Sequence, residues 1–190
     1  YPRFSSFTND AKLNTLGENI AYTGGFSIHG NVIGSKPLDK SLSEIVVSYN
    51  GERKFRALAR SYAISDTAIV ADRAAVTIYQ QKDSLTHPAM ELRFSKARQT
   101  LTLIKDKGPY AHTPFFDSYH QLEIKADRLY WNLASQDIDF TGVNSKSLIP
   151  VEIESVDHFS DNRYQRLVGV APFHPLLIFV SYASKTKNNE

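Results

Sequence analysis

Asp137 and Asp139 are the two carboxylates of this chain whose spacing best suits acid–base chemistry. Residues two apart on a strand face the same side of a sheet, so these carboxylates can approach each other. Glycosidases use carboxylate pairs separated by roughly 5 to 9 Å to cleave glycosidic bonds. The same spacing is typical of any strand with one face in water, and we favour that interpretation here.

The segment 105–119 (KDKGPYAHTPFFDSY) contains two prolines and is unusually long and aromatic for a hairpin connection. Its aromatic residues are Tyr110, Phe115, Phe116 and Tyr119. If they line a rim, they can stack on a sugar ring or grip a peptide. If Phe115 and Phe116 turn inward, they plug one end of the core, as in an Ω loop. Both arrangements are open, and we favour the plug.

Other site chemistries have little support in the sequence. The absence of cysteine excludes disulfides, thiolate nucleophiles, cysteine-ligated zinc and iron–sulfur clusters. There is no Gly-x-Ser-x-Gly motif, and the six histidines include no His-Glu-x-x-His motif. We therefore expect no metal and no cofactor. Two histidines directly precede a proline, and a third is separated from one by a single residue. A histidine in such a position more often hydrogen-bonds to backbone than binds a metal. These residues are His87, His174 and His112.

The charge of the chain is close to balance, with 22 Lys+Arg against 20 Asp+Glu. Lys54, Arg56 and Arg60 share one strand face, but Glu52 shares it too. Their aliphatic stems would cover the apolar neighbours Ile45 and Val47. We therefore expect no nucleic acid as partner.

The elements that must position these residues are mainly strands. Hydrophobic residues make up 42% of the chain, which is enough for a real core. Polar and apolar residues alternate with a period of two, and one wet face favours antiparallel pairing. The predicted strands cover residues 43–49, 52–61, 62–70, 74–80, 90–94, 101–103, 121–126, 128–133, 138–143 and 151–155. We predict an all-β, mainly antiparallel fold, either a sandwich or an elongated stacked β-sheet, with a short C-terminal helical segment.

Three local features of the sequence predict details of the strands and turns. Asn50-Gly51 predicts a type I′ hairpin turn, and pairing outward from it sets Val46 opposite Phe55 and Val47 opposite Lys54. Gly24-Gly25 indicates a bulge or a close approach of backbone. Asp72-Arg73 is taken as a break between two strands. The sequence around that break partly recurs 55 residues later, as IVADR at 69–73 and IKADR at 124–128, which would suit a stacked repeat or arise by chance.

The C-terminal part of the sequence predicts helices rather than strands. We predict helices at 161–169 and, with Pro175 in its first turn, at 176–185. Residues 167–183 are strongly apolar, but this stretch is short and interrupted by glycine and proline, so no transmembrane span is expected. The predicted organisation is an N-terminal, partly irregular segment 1–19, an antiparallel β domain 20–156, a helical appendage 157–185 packed on the sheet or on a neighbouring domain, and a tail 186–190.

Several short strings give the chain a resemblance to an interior piece of the very large, β-rich, envelope-type proteins of gram-negative bacteria. They are Gly24-Gly25-Phe26-Ser27, Asp83 to Pro88, Leu129-Tyr130-Trp131, Ser155 to Phe159, Tyr164 to Leu167 and His174-Pro175-Leu176. The resemblance implies a location in the periplasm or at the cell surface and membership of a larger chain; it carries no activity and no functional residue. The first residue is Tyr1 rather than methionine, which also favours a fragment.

Two functions follow as expectations. The first is a non-catalytic structural or interaction module of a larger extracytoplasmic protein, whose partners are other domains of the parent chain or an envelope protein. The second is a carbohydrate-binding or glycan-processing β-domain that uses the aromatic segment 105–119. The sequence leans towards the role without enzymatic activity.

Overall fold

The computed structural model describes residues 3–13, 16–17, 19–30, 32–35, 41–106, 108–144, 147–156 and 175–186. These residues form seventeen β-strands and one α-helix, and every strand pairing is antiparallel. In chain order the strands are β1 (Arg3–Ser5), β2 (Ala11–Leu13), β3 (Ile20–Gly24), β4 (Ser27–His29), β5 (Val32–Ser35), β6 (Ser43–Tyr49), β7 (Glu52–Ala59), β8 (Tyr62–Ile64), β9 (Ala68–Gln80), β10 (Asp83–Ser95), β11 (Thr100–Lys105), β12 (Phe115–Asp117), β13 (Leu122–Lys125), β14 (Arg128–Asn132), β15 (Ile138–Asn144), β16 (Ser147–Ile149) and β17 (Glu152–Ser155). The all-β prediction is confirmed.

The long hairpin β9–β10 belongs to two sheets at once. Near its turn, β9 pairs with β7 and β10 pairs with β12. Towards its open end, β9 pairs with β8 and β10 pairs with β11. The first sheet therefore runs β2-β3-β6-β7-β9-β10-β12-β13-β17, and the second runs β1-β4-β5-β8-β9-β10-β11-β14-β15-β16.

Two opposed bulges lie in the middle of this hairpin, where it passes from one sheet to the other. Between Ala71 and Ala74, β9 has one residue more than its partner, and between His87 and Met90 the extra residue is on β10. Bulges bend strands and interrupt their alternation. The predicted strand break at Asp72-Arg73 was therefore wrong: the chain is a continuous strand there, and a bulge disturbs its pattern.

The two sheets face each other across one core. Aromatic rings from opposite sheets meet at three places: Phe55 with Phe94 at 5.4 Å, Tyr22 with Tyr62 at 6.3 Å, and Phe115 with Phe140 at 5.4 Å between centroids. The hydroxyl of Tyr62 also donates a hydrogen bond of 2.8 Å to the carbonyl of Ala57 in the first sheet. Burial raises the pKa of that hydroxyl, so it stays a neutral donor.

The Asn50-Gly51 hairpin is confirmed, with one correction to its register. Both turn residues have positive φ, at 52° and 78°, as a type I′ turn requires. A register shift next to Ser48 leaves Lys54 outside the pairing, so Val47 lies opposite Phe55 and Val46 opposite Arg56. The predicted partners were one residue off because the bulge has no distinct sequence signal.

Gly24 is closely packed, but against side chains rather than against the backbone that was predicted to approach Gly24-Gly25. A Cβ on Gly24 would overlap the side chain of the buried Ser43 and would lie 2.7 Å from the Tyr22 hydroxyl. The segment before it contains two short strands, β1 and β2, where the sequence was ambiguous.

The chain divides into two compact units, residues 1–155 and 156–190. The second contains α1 (Pro175–Thr186), which confirms the predicted helix at 176–185 with Pro175 in its first turn. The helix predicted at 161–169 lies outside the described residues. Within the described part of the chain, no helix has the length and apolar content needed to cross a membrane.

Candidate functional site

On the outer face of the second sheet, polar side chains lie in regular rows across the strands. Strand register places Arg93, Thr102, Tyr130 and Asp139 in one row across β10, β11, β14 and β15. The adjacent row on the same face contains Glu91, Ile104, Arg128 and Thr141. The alternate rows, which hold Leu103, Leu129 and Trp131, face the core. This alternation is why polar groups from distant parts of the chain meet on one surface.

A groove of about 700 Å³ opens on this face. Thr102 and Ile104 of β11 lie between Arg93 on one side and Arg128 on the other, and Asp106 and Ala111 of the following loop also line the groove. The volume falls in the range of small-molecule sites, roughly 300 to 1,000 Å³. The groove is the candidate functional site.

The carboxylates of the groove are bound to cations. Asp106 accepts a hydrogen bond from Arg73, whose Nη2 lies 2.6 Å from its Oδ2. Asp127 accepts one of 2.8 Å from the Lys105 ammonium. A glycosidase acid instead carries its proton in an apolar setting without a cationic partner. Both of these groove carboxylates therefore have a cationic side chain as partner.

The loop beside the groove is anchored by a buried histidine. His87 of β10 bonds through Nε2 to the Thr113 carbonyl at 3.0 Å, and its Nδ1 accepts a hydrogen bond of 3.1 Å from the Ala89 N–H. These two partners require the neutral ring with its proton on Nε2. The expectation that histidines before prolines bond to backbone holds for His87. Its position fixes the loop that supplies Ala111 to the groove.

The stability of the fold should depend on the protonation of His87. Burial lowers the pKa of His87, and the nearby Lys105 adds to the effect. Because the folded-state pKa lies below the unfolded value of about 6.5, the unfolded chain takes up the proton first as pH falls. We expect the neutral His87 ring to make its whole contribution to the free energy of unfolding above about pH 6.5. This contribution should decrease as the pH falls from there to the lowered pKa, and urea titrations between about pH 5 and 7.5 measure it.

A variant isolates this contribution from other titrating groups. His87→Gln should flatten the pH dependence of the free energy of unfolding in that window, relative to the native chain. Identical slopes for native protein and His87→Gln would contradict the assignment.

The four aromatic residues of segment 105–119 are dispersed. Phe115 is 1% exposed and packs between His87 and Phe140, which places its ring in the core. Phe116 is half-buried on β12. Tyr110 is 46% exposed and precedes Ala111, which lines the groove. Tyr119 is 67% exposed in the turn after β12, edge-on to His120.

The two aspartates are both exposed, but they differ in setting. Asp139 lies on β15 next to Tyr130, in the row that borders the groove. Asp137 precedes β15, where its N–H donates to the Ser135 hydroxyl at 3.1 Å. Within the described part of the chain, no cluster of three His, Asp or Glu side chains could hold a metal ion.

Sequence reasoning missed the groove residues Arg93, Thr102 and Arg128, and also Tyr130, which lies opposite Thr102. Each was visible only as the polar or outward partner of alternating leucines on its own strand. The signal that could have found them is the cross-strand register, which sets Thr102 opposite both Arg93 and Tyr130. No protein-family model, curated protein or solved structure matches the chain.

Proposed function

We propose that this chain is a non-catalytic binding module of a larger extracytoplasmic protein, and that its outer groove holds a glycan. The observation that carries the proposal is the groove itself: an open depression lined by charged, hydroxyl and aliphatic side chains, with the exposed rings of Tyr110 and Tyr130 on neighbouring residues. Sugars present hydroxyls around apolar ring faces, so tyrosines and charged donors are suitable partners.

The borders of the groove supply both kinds of contact. Tyr130 is 37% exposed beside Thr102, and Tyr110 stands on the loop at the groove's end. Thr102 contributes a hydroxyl that can both donate and accept. The proposed site thus differs from the predicted aromatic rim: of the aromatic residues of segment 105–119 it keeps only Tyr110, and its other contacts come from β10, β11 and β14.

The setting of the module rests on other observations. The resemblance to large envelope-type proteins supports an extracytoplasmic location and attachment to further domains. Leu177, Phe179 and Val180 of α1 are exposed large apolar side chains, which supports contact with a protein surface such as another domain of the parent chain.

The test is a glycan array followed by affinity measurement on the glycans retained. We expect Tyr130→Ala to weaken binding about tenfold, since exposed tyrosines commonly supply a kilocalorie or more at binding sites. Tyr119→Ala removes an equally aromatic, more exposed ring outside the groove and should bind as the native chain does. A native chain that retains no glycan, or a Tyr130→Ala variant with native affinity, would overturn the proposal.

A further inference from the structure

Three cations around the groove are held in ion pairs. Arg73 pairs with Asp106 at 2.6 Å, Lys105 with Asp127 at 2.8 Å, and Arg93 with Glu91 at 2.6 Å. Arg128 lines the groove as well, and among the described residues no carboxylate lies within ion-pair distance of it. The described side chains around the groove therefore leave one uncompensated guanidinium.

The position of Arg128 is fixed by the sheet. Its backbone pairs with Ile104 on one side and with Thr141 on the other, so its side chain must stand on the outer face. Asp139 is only a diagonal neighbour, at a Cα separation of roughly 7 to 8 Å in an antiparallel pair. It can share the neighbourhood of a ligand without neutralising Arg128.

The guanidinium of Arg128 lies over the ring of Tyr130. Its Cζ lies 5.9 Å from the centroid of the Tyr130 ring. Stacking on an aromatic ring uses the face of the guanidinium plane, while its N–H donors point outward in that plane. Those donors form a fork that matches the two oxygens of a carboxylate.

We propose that the groove selects a glycan that bears a carboxylate, a uronic-acid saccharide, and that Arg128 receives this carboxylate in a bidentate pair. The inference rests on the proposed glycan-binding function and adds the ligand class. The fork of N–H donors on Arg128 matches the two oxygens of one uronate carboxylate.

The experiment compares an oligogalacturonate with its methyl ester, in which the sugar is kept and the charge is removed. Isothermal titration at low salt should show at least tenfold tighter binding of the acid to the native chain. Arg128→Gln should abolish this preference, so that the acid and the ester bind this variant with equal affinity. Arg128→Lys keeps the positive charge but loses the paired N–H donors of the guanidinium, so it should retain only part of the preference for the acid.

The matched control is Arg98→Gln. Arg98 is an exposed arginine in the turn between β10 and β11, outside the groove lining, so this variant changes net charge equally and should keep the native preference. Equal binding of acid and ester, unaffected by Arg128→Gln, would overturn the carboxylate inference while glycan binding stands. If neither saccharide nor any glycan of the array binds the native chain, both proposals fall.

Discussion

Replacing Phe115 with alanine is expected to lower the free energy of unfolding by about 3 to 5 kcal/mol. Its ring is 1% exposed and lies between two partners, His87 at 4.9 Å and Phe140 at 5.4 Å between ring centroids. Phe115 belongs to the first sheet and Phe140 to the second, so the ring fills space that neither sheet alone can close. Removal leaves a cavity between two hydrogen-bonded sheets, which cannot collapse freely.

Urea unfolding followed by fluorescence measures this loss, and the m value should stay unchanged because the folded core remains compact. The control is Tyr119→Ala, a truncation of another aromatic side chain in the same segment that is 67% exposed. We expect it to change stability by no more than about 0.5 kcal/mol. A loss below about 1 kcal/mol for Phe115→Ala would show that its ring does not support the core.

The strands could be predicted because their alternation is local. In β14, Leu129 and Trp131 face the core while Arg128, Tyr130 and Asn132 are exposed, as the sequence indicates by itself. The division of the β9–β10 hairpin between two sheets could not be predicted. It depends on which neighbours flank each half of the hairpin, and those neighbours come from opposite ends of the chain.

The sequence also does not show which strands lie at the edge of a sheet. Ile153 alternates with Glu152 and Glu154, a pattern that predicts an inward side chain, yet it is 59% exposed. It lies in the row of the buried Phe115 and Ile124, on the correct face of the first sheet. Its strand β17 pairs only with β13 in the described part of the chain, so fewer neighbours cover it. Periodicity gives the face of a residue but not the depth of cover over that face.

The candidate site was predictable only in part for a related reason. Asp139 and Tyr110 were singled out by type and spacing; Asp139 lies opposite Tyr130 and Tyr110 precedes Ala111, but neither is among the lining residues of the groove. Arg93, Thr102 and Tyr130 are far apart in sequence, and nothing in their own strands distinguishes them from ordinary outward residues. They form a site because two register choices, β10 with β11 and β11 with β14, align them.

Substitution of Gly24 by valine is expected to destabilise the fold by about 3 kcal/mol, because the space for a side chain is already filled. A Cβ there would overlap Ser43, which is fully buried, and crowd the Tyr22 hydroxyl. Neither neighbour can move freely. The Tyr22 hydroxyl donates to the Gly25 carbonyl, and the Ser43 hydroxyl accepts a hydrogen bond of 3.3 Å from the Gly25 N–H.

Thermal unfolding should show this as a decrease of about 6 to 12 °C in the midpoint for a chain of this size. The matched control is Ala21→Val on the same strand, where the side chain is exposed. Valine favours strands, so this control should leave the midpoint unchanged or slightly raised. Equal midpoints for the two variants would contradict the close packing of Gly24 against Ser43. A larger loss for Gly24→Val than for Gly24→Ala would indicate that the cost grows with the volume forced between β3 and β6.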